Sequence, residues 1–323
     1  MTRLRSLPPA VSRRALGAVA LLGQPAIAWA QSFPVRPVRL ITPIPPGVGA
    51  EATLRLFAGG LSQRLGQPVP VENRPGGDAV VAAMAFLGLN DDHKLFFSFA
   101  GPFTVNPFTI PNLPYAPEQF APLSTVAIDH VAIAAPASFP AADLVQTVAL
   151  ARRESLAWAS SPGGIAIAFA GFAAEQGLTL TRVQYRAVPD MLNDLSQSRL
   201  HLAVMPLATA LPQARAGRIK LLAVTNATRS PAAPEVPTAA EQGFVRYVFE
   251  GFVGVFADAR QPVPVRRALE DAARSAVAEP AFADRVRASG QLPHGGGAED
   301  LAARIAAQRA LVEAGLRHLP PGG

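Results

Sequence analysis

The stretch Val38-Arg39-Leu40-Ile41-Thr42-Pro43-Ile44-Pro45-Pro46-Gly47-Val48-Gly49-Ala50-Glu51-Ala52 decides the fold. It opens as an apolar strand, turns through prolines and glycines, and enters a helical pattern. Leu54, Phe57, Ala58, Leu61 and Leu65 then recur at helical spacing until Gly66 closes the run. A strand that feeds a helix through such a loop aims backbone N–H groups and the positive helix end at the loop. That suits a carboxylate or phosphate without any charged side chain. Gly47 and Gly49 permit close backbone approach, and the prolines lower the cost of ordering the loop around a ligand.

Working outward, a second strand is predicted at residues 69–71, an alanine-rich helix at 79–87 and a third strand at 95–99. This alternation predicts a parallel sheet with helices on both faces. After the loop at 107–122 the pattern restarts. Strands are predicted at 126–135, 156–159, 182–185, 202–205 and 221–224, and helices at 141–152, 165–176 and 189–196. No sequence repeat links the two halves, so their likeness is one of pattern. The expectation is an α/β protein of two lobes with a ligand cleft between them. Three helical stretches at 264–278, 280–289 and 299–314 are expected to return over the first lobe.

Upstream of the quoted stretch, Arg3, Arg5, Arg13 and Arg14 precede a short apolar run at 15–27, and Ala28-Trp29-Ala30 has the small-x-small form of a cleavage site. Residues 1–30 are therefore expected to be an export signal, with the mature chain beginning near Gln31. The run is shorter than the ~20 residues of a spanning helix. Ser12-Arg13-Arg14 leaves both the general and the twin-arginine export routes open.

Removing that segment changes the charge balance. The full chain has 29 basic and 23 acidic residues, net +6, and the signal takes four arginines, leaving 25 against 23. The high isoelectric point reflects arginine in place of lysine, since Lys94 and Lys220 are the only lysines. No basic cluster with interleaved aromatics occurs, so nucleic acid is not an expected partner. With no cysteine there are neither disulfides nor thiolate metal sites.

Trp158-Ala159-Ser160-Ser161-Pro162-Gly163-Gly164 repeats the logic of the first loop, with a strand, then hydroxyls and glycines, then a helix. One anion-binding loop per half implies a binding cleft. The expected ligand-binding residues are Pro46, Gly47, Val48 and Gly49, with Glu51 steadying the loop, and Phe99, Ala100, Gly101 and Phe103 after the third strand. From the second half come Ser160, Ser161, Gly163 and Gly164, with Tyr185, Arg186 and Ala187 beside them. Glu72 and Arg74 are expected to brace their own loop. Gly47-Val48-Gly49-Ala50-Glu51-Ala52 also matches the dinucleotide pattern G-x-G-x-x-A, with Glu72 at a suitable distance. The prolines in the turn and the export signal weigh against that reading. No nucleophile elbow, phosphate loop with lysine, or H-E-x-x-H occurs, and His93, His130, His201, His294 and His318 lack ligand spacing. No catalytic residue, metal or cofactor is expected.

The chain resembles the tripartite tricarboxylate transporter substrate-binding proteins, also called the Bug family. The resemblance rests on residues 43–51, on Val69-Pro70-Val71-Glu72-Asn73-Arg74-Pro75-Gly76, on Asn106-Pro107 and on Leu113-Pro114-Tyr115-Ala116-Pro117. It continues through Phe120-Ala121-Pro122-Leu123, Ala159-Ser160-Ser161, Leu222-Ala223-Val224-Thr225 and Glu241-Gln242-Gly243. The resemblance implies a type II periplasmic binding protein fold, with residues 33–130 and 250–323 in lobe one and 131–249 in lobe two. It implies a small carboxylate, held largely by backbone amides and hydroxyls, and delivery to a membrane permease by hinge closure. A membrane sensor kinase is the alternative partner, and the receptor is expected to be a monomer. The chain departs from the family pattern at Glu51, Asp78, Ile167 and Ala168, at Tyr185-Arg186-Ala187, and in the strand His201-Leu202-Ala203-Val204-Met205-Pro206. These changes replace polar groups with apolar ones, so the ligand is expected to present more apolar or aromatic surface than malate or citrate.

Overall fold

The structure, a computed structural model, describes residues 33–46, 49–161, 163–185 and 187–318. The expected export signal, Gly47, Val48 and Arg186 lie outside the described residues. From Phe33 onward the chain forms one compact unit.

The first elements are strand β1 (Arg39–Thr42), helix α1 (Gly49–Leu65), β2 (Val71–Asn73), α2 (Val80–Leu87), β3 (Lys94–Phe99), and the short helices α3 (Gly101–Thr104) and α4 (Asn106–Thr109). Next come β4 (Phe120–Asp129), β5 (Val131–Pro136), α5 (Leu144–Ala151), β6 (Ala157–Ser160), α6 (Gly164–Glu175), β7 (Thr181–Arg182) and α7 (Val188–Ser196). The chain continues through β8 (Leu202–Pro206), α8 (Leu207–Arg215), β9 (Ile219–Val224), β10 (Gly251–Asp258), α9 (Val263–Val277), α10 (Pro280–Ala288), β11 (Gln291–Gly296) and α11 (Ala298–Leu316).

Two sheets result, one ordered β11-β4-β10-β3-β1-β2 and the other β7-β6-β8-β5-β9. Neither is wholly parallel, which corrects the sequence expectation. Strands β1, β2 and β3 pair in parallel, but β10 runs antiparallel to both β3 and β4. In the second sheet β7, β6 and β8 are parallel, and β5 runs against β8 and β9. The reversed strands are β10 and β11 in the first sheet and β5 in the second, and of these β5 and β10 adjoin the passages between the sheets.

A second correction concerns residues 126–135, expected as one strand. The run breaks at His130, so that β4 belongs to the first sheet and β5 to the second. Its apolar residues are buried on both sides, so the side-chain period carries no mark of the break. The hydrogen bonds do. The His130 carbonyl accepts the Leu207 N–H at 2.7 Å. Asn226, 1% exposed, spans the break: its Oδ1 accepts the Val131 N–H at 3.0 Å and its Nδ2 donates to the Asp129 carbonyl at 3.0 Å. The adjacent Thr225 ties in the return passage, its hydroxyl donating to the Phe249 carbonyl at 2.6 Å.

Within the first sheet, β3 shows how side-chain alternation builds two core layers. Leu95 and Phe97 pack with α1, α9 and α10, whereas Phe96 faces a cluster containing Phe86, Phe103, Phe120 and Phe256. Lys94 begins the same strand in full burial. Its Nζ donates to Asp258 and to the carbonyls of Phe86 and Leu89 at 2.6–2.9 Å, so the ammonium is fully partnered. Burial works to raise the Asp258 carboxyl, but hydrogen bonds from Arg260 and Lys94 overcome it and hold the group well below the usual carboxylate range.

The tail divides its contacts. Helices α9 and α10 pack on α1 as expected, but α11 also packs on α6 of the second half. Gly315 makes that contact possible, because a Cβ there would stand 2.2 Å from the Ile167 carbonyl oxygen. Strand β10, strand β11 and helix α8 were not foreseen. Pro212 sits within α8 and obscures its helical pattern, and Pro293 with Gly295 and Gly296 obscures the strand pattern of β11.

Two stability outcomes follow from these contacts. Asn226→Ala leaves the buried Val131 N–H without its partner at about 1–3 kcal/mol and removes the bond to the Asp129 carbonyl, and denaturant unfolding should register the loss. Gly315→Ala forces α6 and α11 apart and should cost about 1–3 kcal/mol as an overpacked contact, read as a melting point several degrees lower. An unchanged midpoint in either variant would contradict the role assigned to that residue.

Candidate functional site

A cavity of about 570 Å³ opens where elements of the two sheets meet. Phe99, Ala100 and Gly101 line it from the end of β3, Gly163 and Gly164 from the start of α6, and Asp129 and Gly251 from the passages between the sheets. Phe99 is 42% exposed although every other residue of β3 is buried, because its side chain turns outward at the strand end. A Cβ on Gly101 would lie 3.2 Å from the Phe99 ring, so glycine leaves that ring its place. A Cβ on Gly164 would likewise lie 3.2 Å from the Phe249 ring and 3.3 Å from Val105.

Gly163, at φ 83°, precedes α6, and no side chain caps that helix. The first-turn N–H groups are therefore not engaged by a capping side chain, and the residues that carry them line the cavity. The opposite wall is braced from behind. The Thr104 hydroxyl donates to Gln308 Oε1 at 2.8 Å, and Gln308 Nε2 donates to the Glu250 carbonyl at 3.0 Å. Asn106 donates to the Asp78 carbonyl and to the Tyr115 hydroxyl, which in turn donates to the Pro102 carbonyl. Burial pushes the Tyr115 phenol up to about 12, so it serves as a neutral brace.

The remaining expected site residues are placed elsewhere. Pro46 is exposed and stands outside the cavity lining, and Gly49 is the first residue of α1. Glu51 is buried and accepts from Arg55 Nε, one helical turn on, at 2.7 Å. Phe103, expected in the cleft, is 1% exposed and stacks on Phe256 at 4.1 Å between centroids; α3 turns it into the aromatic core. Ser160 and Ser161, at the end of β6, are outside the cavity lining. The Ser160 Oγ is buried without a hydrogen-bond partner, and the Ser161 N–H donates to the Val204 carbonyl. Tyr185 donates to Asp194 at 3.0 Å, and Ala187 is exposed before α7. Glu72 pairs with Arg39 at 2.9 Å and more loosely with Arg74, which matches the bracing role.

Two charged groups of the lining were not singled out from sequence. Arg182 ends β7 with its guanidinium 5.8 Å from the Trp158 ring, and its Nη1 is buried without a hydrogen-bond partner. Asp129 ends β4; burial raises its carboxyl above the usual range, and a hydrogen bond from Gln291 at 2.6 Å opposes this. The next residue, His130, is kept below the usual imidazole range by burial. The sequence reading places Arg182 at a strand end and Asp129 inside one strand at 126–135, and only the break at His130 and the pairing of strands from both halves bring them to one cavity.

The tripartite tricarboxylate transporter family receptor model matches residues 53–314. The chain belongs to that receptor family. It is 29% identical over 300 residues to a UPF0065 protein of Bordetella pertussis, covering 89% of this chain and 91% of that protein. Protein BugT of the same organism is 28% identical over 276 residues, covering 82% and 85%. The solved structure of R. palustris Rpa4515 with adipate is 26% identical with a TM-score of 0.72, covering 88% of this chain and 98% of that one. Tripartite tricarboxylate receptors are periplasmic solute-binding proteins, and their two-lobed α/β fold is the one described above. Among the described residues no helix is long and apolar enough to cross a membrane, and no group of His, Asp or Glu has the arrangement of a metal site.

The raised Asp129 carboxyl has a signed consequence for this receptor. A carboxyl whose folded value lies above its unfolded one binds more protons in the folded state, so stability falls as pH rises from about 4 through the raised value. Asp129→Asn should remove that decline and make the unliganded receptor more stable at neutral pH. Unfolding midpoints measured across the acid range check this; parallel profiles for the two proteins would refute it.

Proposed function

We propose that this chain is an exported receptor that captures a small carboxylate in the cleft and delivers it to a membrane permease without transforming it. The observation that carries the reading is the cavity itself. Its wall combines the uncapped start of α6 with the apolar side chains of Phe99, Ile165, Ile167, Phe249 and Phe252. Backbone N–H groups at a helix start favour an anion, and the aromatic and aliphatic wall favours an acid with an apolar body.

Residues 33–130 with 250–323 form lobe one and 131–249 lobe two in this reading, so both passages act as hinges and ligand capture draws the lobes together. Export removes residues 1–30, and the mature receptor starts near Gln31. The adipate in the Rpa4515 structure supports a carboxylate of similar size. No catalytic group is required, because the role is capture and release.

Thermal unfolding of the mature receptor against aliphatic and aromatic carboxylates tests the reading. A ligand at a hundred times its dissociation constant should stabilise by about 2.7 kcal/mol, a melting shift of roughly 5–10 °C for a chain of this size. A shift with at least one carboxylate and no consumption of it is the expected result. The absence of a shift across the panel would count against a carboxylate receptor.

A further inference from the structure

The charged groups on the cavity wall are out of balance for a dianion. Among the described residues the lining contains one guanidinium, Arg182, and two carboxylates, Asp78 and Asp129. Nearby charges are already partnered: Arg304, on the neighbouring smaller cavity, pairs with both Glu250 and Asp300. Arg182 and Asp129 are different. The Arg182 Nη1 is shielded from solvent and donates to nothing, a state that a ligand carboxylate relieves with a charge-assisted hydrogen bond. Asp129 uses Oδ1 to accept from Gln291, while Oδ2 accepts no hydrogen bond from the described residues. Gly251 keeps space beside it, since a Cβ there would come within 3.4 Å of Oδ2 and 2.7 Å of the Asp129 Cβ.

The two groups do not pair with each other, and the fold explains why. Arg182 is on β7, three strands across the second sheet from β5, and Asp129 is the last residue of β4, just before β5 begins. Three strand spacings amount to about 14 Å across the sheet, and the strand register sets Arg182 level with Trp158 and Leu202, near the end of β5 farther from Asp129. The cavity that both groups line also has Ile165, Ile167 and Phe249 in its wall.

We propose that the cleft selects a monocarboxylate with a protonated amine at its far end, the carboxylate meeting Arg182 and the ammonium meeting Asp129, and that it disfavours dicarboxylates of the same length. The proposal rests on the carboxylate-receptor reading and specifies its ligand class. An apolar chain separates the two ligand charges, as the cavity separates the two protein groups that line it. A second carboxylate at the far end would face Asp129 and incur both like-charge repulsion and desolvation. An uncharged far end would leave Asp129 with its raised carboxyl unrelieved.

Titration calorimetry of the receptor recovered from the periplasm tests this with matched probes. Hexanoate, 6-aminohexanoate and adipate share a chain and differ only at the far end, and the corresponding butanoate and octanoate sets vary the length. The expected result at the best length is that the amino acid binds more tightly than the simple acid, and about tenfold or more above the dicarboxylate. Asp129→Asn should bring the ratio of affinities for the amino and simple acids to about one. Arg182→Gln should weaken all members of a set together, with unfolding midpoints confirming that both variants are folded. A dicarboxylate binding as tightly as its amino counterpart overturns the proposal and leaves the receptor reading standing, as does a ratio that Asp129→Asn does not move. Failure of every acid, in these sets and in the wider carboxylate panel, removes the receptor reading as well.

Discussion

Asn226 holds the passage on which the two-sheet arrangement depends. Only His130 separates the last residue of β4 from the first of β5, so two sheets must part within the length of one residue. Strand pairing cannot satisfy the backbone at such a point. The Asn226 side chain supplies the missing partners on both sides, one donor and one acceptor, from a buried position where water does not compete. Thr225 beside it fixes the return passage to Phe249, so both crossings are tied to one short segment after β9.

The cavity is a consequence of that arrangement. The crossings put Asp129, Phe249 and Gly251 at its base, while β3 and α6, from different sheets, supply its walls. Helix α11 adds a further link, reaching α6 through the glycine contact at Gly315 and carrying Gln308 to the cavity edge. A change of angle between the sheets would therefore alter the distance across the cleft, as the proposed closure on a ligand requires. The buried Lys94–Asp258 pair lies away from the cavity and serves a different end. It joins β3 to β10, the strand that returns from the second half, and every donor of the ammonium has an acceptor. A pair satisfied to that degree avoids the penalty of an isolated buried charge.

Much of this was legible in the chain. The proline-glycine loop after β1 and the serine-glycine loop after β6 marked two strand-to-helix turns, and the helix and strand periods around them located most elements. Phe99, Ala100, Gly101, Gly163 and Gly164 could be picked out because strand ends and glycine turns carry local signatures, and all of them line the cavity. Phe103 could not be separated from them, since a helix turn of unknown phase decides between cleft and core. Arg182 gave no local signal: its place near the Trp158 ring and in the same cavity lining as the start of α6 depends on residues outside its own strand.

The sequence by itself determined the local elements, the α/β class and the loops suited to an anion, because turn chemistry and side-chain period act over a few residues. It also carried the family resemblance, which is a matter of residues in order. The tertiary structure alone decided that residues 126–135 belong to two sheets, that β10 and β11 complete the first of them, and that Arg182 and Asp129 share a cavity. Those outcomes rest on hydrogen bonds and packing between residues far apart in the chain, and no local pattern encodes which distant partner a strand or a charge will meet.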